Sequence, residues 1–246
     1  MESILVIWAP LSSGSNFFNY KKTFSTLLLA SCDANYRFTY IDVGSFDRAG
    51  DAGVFGSSSL KVALDDDSLN IPAPRPLPET QNPFPFVMVG DEAFQLRTDL
   101  LRPYARHGLD YGRRIFNYRL SRARRVIENA FGILAARWRV FRRPIECEPK
   151  TVDLIVYASC ALHDYLISGQ KDNYCPVNFT DRETAQGAVI GGEWRQDATS
   201  TGGLRDLGRA GSNNPKSDAK KTRDLLKDYF LSPKGSVSWQ DRMVKV

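Results

Sequence analysis

Short runs of apolar residues divide the first ninety positions of the chain, and two longer periodic stretches occupy its middle. Ile4 to Trp8 reads as a strand stopped by Pro10, with an SSGSN loop after it. Thr23 to Ser31 and Tyr36 to Val43 are two more strand-like runs, and Asp33-Ala34-Asn35 between them is turn chemistry, so the pair predicts an antiparallel hairpin. A helix is expected from about Ser57 to Leu64. Residues 71–85 hold too many prolines for regular structure and read as an exposed connection. Phe86 to Val89 is wholly apolar and predicts a fourth strand that ends directly on Gly90-Asp91. From Phe116 to Pro144 the spacing of Val126, Ala130, Ile133 and Leu134 predicts one long helix with an apolar stripe. A second helix, Thr151 to Ile167, repeats apolar residues from Val152 through Ile155, Val156, Cys160 and Leu162 to Leu166. It includes His163, read as a satisfied core histidine. Residues 178–216 are rich in Gly, Ser, Asn and Asp and read as loop or disorder, and Ser217 is expected to cap a last helix to Phe230. This order predicts an α/β fold with a central mixed sheet. The expected division is a domain over 1–170 and a loop-rich extension over 171–246.

Composition changes this picture little. At 246 residues, 42% hydrophobic and 25% charged, the chain is ordinary for one sizeable globular domain. The four cysteines form no CxxC pair, which argues against a zinc site and against a disulfide framework, and Cys32 and Cys160 read as buried thiols in a reducing compartment. No apolar run is long enough to span a bilayer or to serve as a secretory signal.

Charge changes more. The net charge is only +5, but between Arg102 and Arg143 the only acids are Asp110 and Glu128. Arg113, Arg114, Arg119, Arg122, Arg124, Arg125, Arg137 and Arg139 crowd that segment. Such clustering suits a polyanion such as DNA, and equally a solvated charged face. Glu128 within it has two readings. Arg124, four residues earlier, can pair with it on one helix face. Alternatively it is a metal ligand in a basic channel, joined by the strand-end carboxylate of Asp91, and oxygen donors of that kind suit Mg²⁺ or Mn²⁺.

Several blocks resemble the DDE nuclease domain of PIF/Harbinger transposases and the nucleases derived from them. They are AP-SSGS-FFNYK (Ala9 to Lys21), LLLASCDANYRF (Leu27 to Phe38), the DVG…R..D..VF pattern (Asp42 to Phe55) and PFVMVGDEAFQL (Pro85 to Leu96). FNYRLSRARRVIENAFGILAARWRVFRRPI (Phe116 to Ile145) and a late VSWQ (Val237 to Gln240) complete the set. The resemblance implies an RNase H-like fold, a mixed sheet flanked by helices, and a divalent-metal DNA endonuclease. It implies that Asp51, Asp91 and Glu128 are the catalytic, metal-holding acids and that the arginines bind DNA. It further implies nuclear as well as cytoplasmic residence and a Myb-like or MADF-type partner. Asp47 departs from the family pattern, where a glycine is usual. The family's first aspartate, on the first strand, would fall at Met1. The chain is therefore expected to be truncated at its N-terminus and impaired as a nuclease, the alternative being a non-catalytic DNA-binding or interaction protein on the same fold.

Overall fold

The computed structural model describes residues 2–10, 13, 17–19, 22–45, 55–197, 203–206 and 215–244. The chain divides into two compact units that interleave in sequence. The first comprises 1–58, 125–184 and 188–208, and the second comprises 59–124, 185–187 and 209–246. Residues 171–246 are thus shared between both units. The helix over the basic stretch contributes its first half to the second unit and its later half to the first.

The first unit is built on a four-stranded sheet of β1 (Glu2–Val6), β2 (Ser25–Cys32), β3 (Phe38–Ser45) and β4 (Leu204–Asp206), in the order β4-β1-β2-β3. All its pairings are antiparallel, and Ile7 adds one parallel bridge to Ile145. The β2–β3 hairpin closes where expected: Asp33 Oδ1 accepts the amides of Asn35 and Arg37. Two expectations fail. Phe86–Val89 is not a strand of this sheet. Only Met88–Val89 is extended, and it pairs in parallel with Leu100–Leu101 as a separate two-stranded ladder in the second unit. Phe86 is 43% exposed, so an apolar run flanked by Pro83 and Pro85 does not here mean a core strand. The outer strand beside β1 comes instead from the segment read as loop or disorder.

After α1 (Ser59–Asp65), the long helix α2 runs Tyr111–Arg137, five residues earlier in its start than the apolar pattern suggests. Asp110 caps it, its Oδ1 accepting the Arg113 amide at 2.8 Å. It stops at Arg137 because Trp138 is extended (φ −103°, ψ 95°), and Arg139–Arg142 forms a 3₁₀ turn before Pro144. α3 (Pro149–Gly169) follows with proline in its first turn.

The first unit's core lies between the sheet and these helices: Leu5, Ile7, Leu28, Ala30 and Phe38 meet Ile127, Ala130, Phe131 and Leu134 of α2 and Val152, Val156 and Cys160 of α3. α3 is pinned to the hairpin by Asp164 Oδ1, which accepts the Phe38 amide at 2.8 Å, and by His163, whose Nε2–H donates to Tyr36 O at 2.9 Å. The expected inward face of α3 holds at Val152, Val156, Cys160 and His163 but not at Leu162, which points outward.

In the second unit, the proline-rich stretch makes a two-residue pairing, Arg75–Pro76 with Pro83–Phe84. Its core joins Phe84, Leu96, Leu101 and Tyr104 to Phe116 and Leu120 of α2 and to Ala219 and Leu226 of α4 (Ser217–Leu231). Lys216 rather than Ser217 occupies the cap position of α4, without a side-chain cap bond.

Candidate functional site

The blocks that carry the family resemblance are, to a large extent, a set of packing devices. In the second unit Phe116 and Leu120 are core residues, and Asn117 clips the backbone of Tyr104, accepting its N–H at 2.8 Å and donating to its C=O at 2.9 Å. Arg119 is half-buried: it donates to Gly235 O and Gln240 Oε1, both at 3.1 Å, and lies 4.3 Å over the Phe230 ring. Desolvation lowers its pKa, as expected of a guanidinium held away from water. Arg122 stacks 3.9 Å over Trp239, whose ring also meets Tyr118 edge-on. The late VSWQ block is therefore the packing partner of the YRLSR segment.

The GDEAF block is explained in the same terms. Asp91 follows the Met88–Val89 ladder, and its Oδ1 accepts the Ala93 amide at 2.9 Å in an Asx turn. A Cβ on Gly90 would come within 3.0 Å of the Phe94 ring and 3.2 Å of Leu100, so the close approach selects glycine.

Glu128 sits in the first-unit half of α2, partly buried. Its surroundings are set by residues 178–195. The next residue, Asn129, uses one oxygen, Oδ1, to accept the Asp181 amide at 3.1 Å and the Trp194 indole N–H at 2.9 Å. Gly132, one turn on, makes room for that indole: a Cβ there would lie 2.4 Å from a ring carbon of Trp194. Asp181 is fully buried at its carboxylate and accepts Gly192 N–H at 2.9 Å and Arg195 Nε–H at 2.8 Å on Oδ1, with Arg195 Nη2–H on Oδ2. Burial alone would raise its pKa, but the hydrogen bonds from Arg195 and Gly192 hold it below the usual carboxylate value. Arg195 is in turn held in its charged form, first by its hydrogen bond to Asp181 and then by the charges of Asp181 and Glu128. Arg125 pairs with Glu183 at 2.6 Å.

Sequence reading missed Asn129, Asp181, Trp194 and Arg195. A polar residue on an otherwise apolar helix face was the one available signal, at Asn129.

The remaining arginines divide by surroundings. Arg137 donates to Tyr174 O at 2.7 Å and lies 4.2 Å over Phe179. Arg113 is exposed, 3.3 Å from Asp110 and over the Tyr104 ring at 5.3 Å. Arg139 and Arg143 are exposed on the segment after α2, whereas Arg114 and Arg124 are partly covered.

For a divalent cation the donor set is the test. Asp51 lies outside the described residues, Asp91 belongs to the second unit and Glu128 to the first. The acids around residues 181–183 are tied to arginines. Asp153 on α3 has a buried Oδ1 without a hydrogen-bond partner, and burial raises its pKa; it lies against Gly44 (φ +100°), where a Cβ would come within 3.1 Å of its Oδ2. Among the described residues no group of three or more His, Cys, Asp or Glu side chains could hold a metal ion. Among the described residues, too, no helix is long and apolar enough to cross a membrane.

A sheet with helices packed on it, and a helix carrying a glutamate amid arginines, is the setting in which the comparison with known proteins falls. Residues 5–164 match the family described as DDE superfamily endonuclease, and the chain belongs to that family. No curated protein and no solved structure matches it at a significant level.

Proposed function

We propose that the chain is a transposase-derived protein of the PIF/Harbinger kind that acts on DNA, and that residues 1–246 bind the duplex but cleave it little. The family match over residues 5–164 carries the first half of this reading, because phosphodiesters of DNA are what an endonuclease acts on. The second half rests on the cationic environment of Glu128: Arg195 shares its field, and the acids of residues 181–183 are occupied by Arg195 and Arg125. An active nuclease with Asp51, Asp91 and Glu128 around Mg²⁺ or Mn²⁺ is the alternative, supported by the resemblance alone. The RNase H-like part of the reading is supported by the three consecutive antiparallel strands β1–β3. A nuclear site of action and a Myb-like or MADF-type partner rest on the resemblance alone.

DNA binding in this reading is electrostatic and carried by arginines that are not used internally. Affinity for a short duplex, measured by fluorescence anisotropy against salt, is expected to fall steeply. Replacing exposed Arg139 and Arg143 together by Ala should flatten the log–log slope by roughly one unit per lost phosphate contact. Arg119→Ala and Arg125→Ala should instead lower thermal stability, since each guanidinium is spent on intramolecular acceptors. No salt-dependent affinity for the duplex would overturn the DNA-binding reading, and an unchanged slope in the double variant would remove these two residues from the interface.

A further inference from the structure

α3 buries one face in the first unit's core and leaves a second apolar face open. Leu154 (69% exposed), Tyr157 (43%), Leu162 (47%) and Tyr165 (70%) stand on it, with Ala158 and Ala161, also exposed, between them. They recur at spacings of three and four and so form one stripe, about 16 Å long at 1.5 Å per residue. No charged residue interrupts it. An exposed aromatic and aliphatic stripe of this length on a helix is more than the scattered apolar surface of an ordinary fold.

The order of residues along the stripe is close to symmetric. Leu154 and Tyr165, Tyr157 and Leu162, and Ala158 and Ala161 each lie at equal distances from the midpoint between Ser159 and Cys160. Two copies of α3 packed antiparallel about a two-fold axis at that midpoint bring Leu154 level with Tyr165 of the second copy and Tyr157 level with Leu162. The alanines fall at the centre, where small side chains let helices approach closely. One charge pair follows the same symmetry. Glu148, just before the helix, and Lys171, just after it, are both exposed and equidistant from the midpoint, so each end of the pair offers an acid to a base. A two-fold interface requires one surface to complement itself, and this register sets small residues against small ones at the centre and an acid level with a base at each end.

We infer that this face of α3 is a homodimer interface, its occupant a second copy of the same helix running antiparallel. The inference does not depend on the DNA-binding reading, because every residue it uses belongs to α3 or its immediate flanks in the first unit. Two helices of this length bury an area at the small end of specific interfaces, so the dimer is expected to be weak and reversible.

Sedimentation velocity of residues 1–246 between 1 and about 200 µM, run without DNA, tests it; that range brackets the affinity expected for so small an interface. A monomer–dimer equilibrium is expected. Tyr165→Glu and Leu162→Glu, both at exposed positions, should each weaken it by about 30-fold or more while leaving the circular dichroism spectrum and melting temperature unchanged. Glu148→Lys and Lys171→Glu should each weaken it about threefold, and the two changes together should restore it, a recovery that a folding defect would not give. A chain that stays monomeric throughout overturns the inference. So does a dimer indifferent to Tyr165→Glu and Leu162→Glu, which would assemble through another surface.

Discussion

His163→Ala is expected to cost about 3–5 kcal/mol of folding stability, the largest effect of any single change described for the first unit. The ring is fully buried. Its Nε2–H donates to Tyr36 O at 2.9 Å, and its Nδ1 accepts from the Tyr174 hydroxyl at 3.0 Å, which itself accepts the Trp138 indole N–H at 3.1 Å. Phe38 packs 5.1 Å from the ring and Tyr174 meets it edge-on at 5.4 Å. Truncation leaves a cavity, an unpaired carbonyl and a phenol O–H without its acceptor at once, in a core where burial already pushes the Tyr174 phenol up to about 12. The change should be read as a shift in urea midpoint followed by tryptophan fluorescence.

The same residue sets a pH dependence. Burial lowers the His163 pKa below its ordinary value of 6.5, so the neutral ring is the native form. Well above 6.5 neither state binds the proton and His163 adds no pH dependence. As pH falls below 6.5, the unfolded chain takes up a proton that the folded chain refuses, and stability declines until the lowered native pKa is passed. The wild-type chain should therefore lose stability between pH 6.5 and 5, and His163→Ala should lose less over that interval. His107, the other histidine, is exposed. Equal slopes in the two proteins would show that His163 does not carry the proton linkage.

Asp181→Ala should be the second large effect, about 2–3 kcal/mol, below the full cost of breaking a buried pair because Arg195 keeps access to water. Its carboxylate organises three donors, and its loss frees the Gly192 turn and Arg195 together. Gly192 cannot be re-seated by a larger residue, since a Cβ there would lie 2.3 Å from Phe179 O. The Asp181 pKa is depressed, so its contribution is full above the unfolded value near 4 and is lost as pH falls through the native one. Acid unfolding of Asp181→Ala should accordingly begin from a lower plateau and show a weaker dependence below pH 4. Because the residue holds segment 178–195 against α2, Trp194 fluorescence should report its release.

The elements with strong local signals were legible in the sequence. β1, β2, β3 and α3 announce themselves through runs and periodicity, and the turn at Asp33 to Asn35 through its own side chain. What failed was non-local. Leu204–Asp206 carries one apolar residue in a Gly- and Ser-rich stretch, and becomes a strand because the open edge of β1 offers its amides and carbonyls to whichever segment reaches it. Phe86–Val89 looked like a core strand on hydrophobicity alone, yet its pairing partner and exposure depend on residues 100–101 and on the prolines before it. The arginines show the same limit. Charge counting marks the cluster, but only tertiary contacts separate Arg119, Arg122 and Arg125, which are used internally, from Arg139 and Arg143, which are exposed. At Glu128 the sequence offered Arg124 one turn away; the charge of Arg195, far along the chain, left no local trace.

In the proposed function, residues 1–246 bind DNA without assembling an effective cleavage centre. Nicking of supercoiled plasmid in the presence of Mn²⁺ tests it most directly, comparing the chain with Glu128→Gln at protein concentrations where both bind DNA. Residual nicking no faster than in Glu128→Gln is the expected result. Robust nicking by the unaltered chain, abolished in Glu128→Gln, would overturn this reading and restore Glu128 as a working catalytic acid.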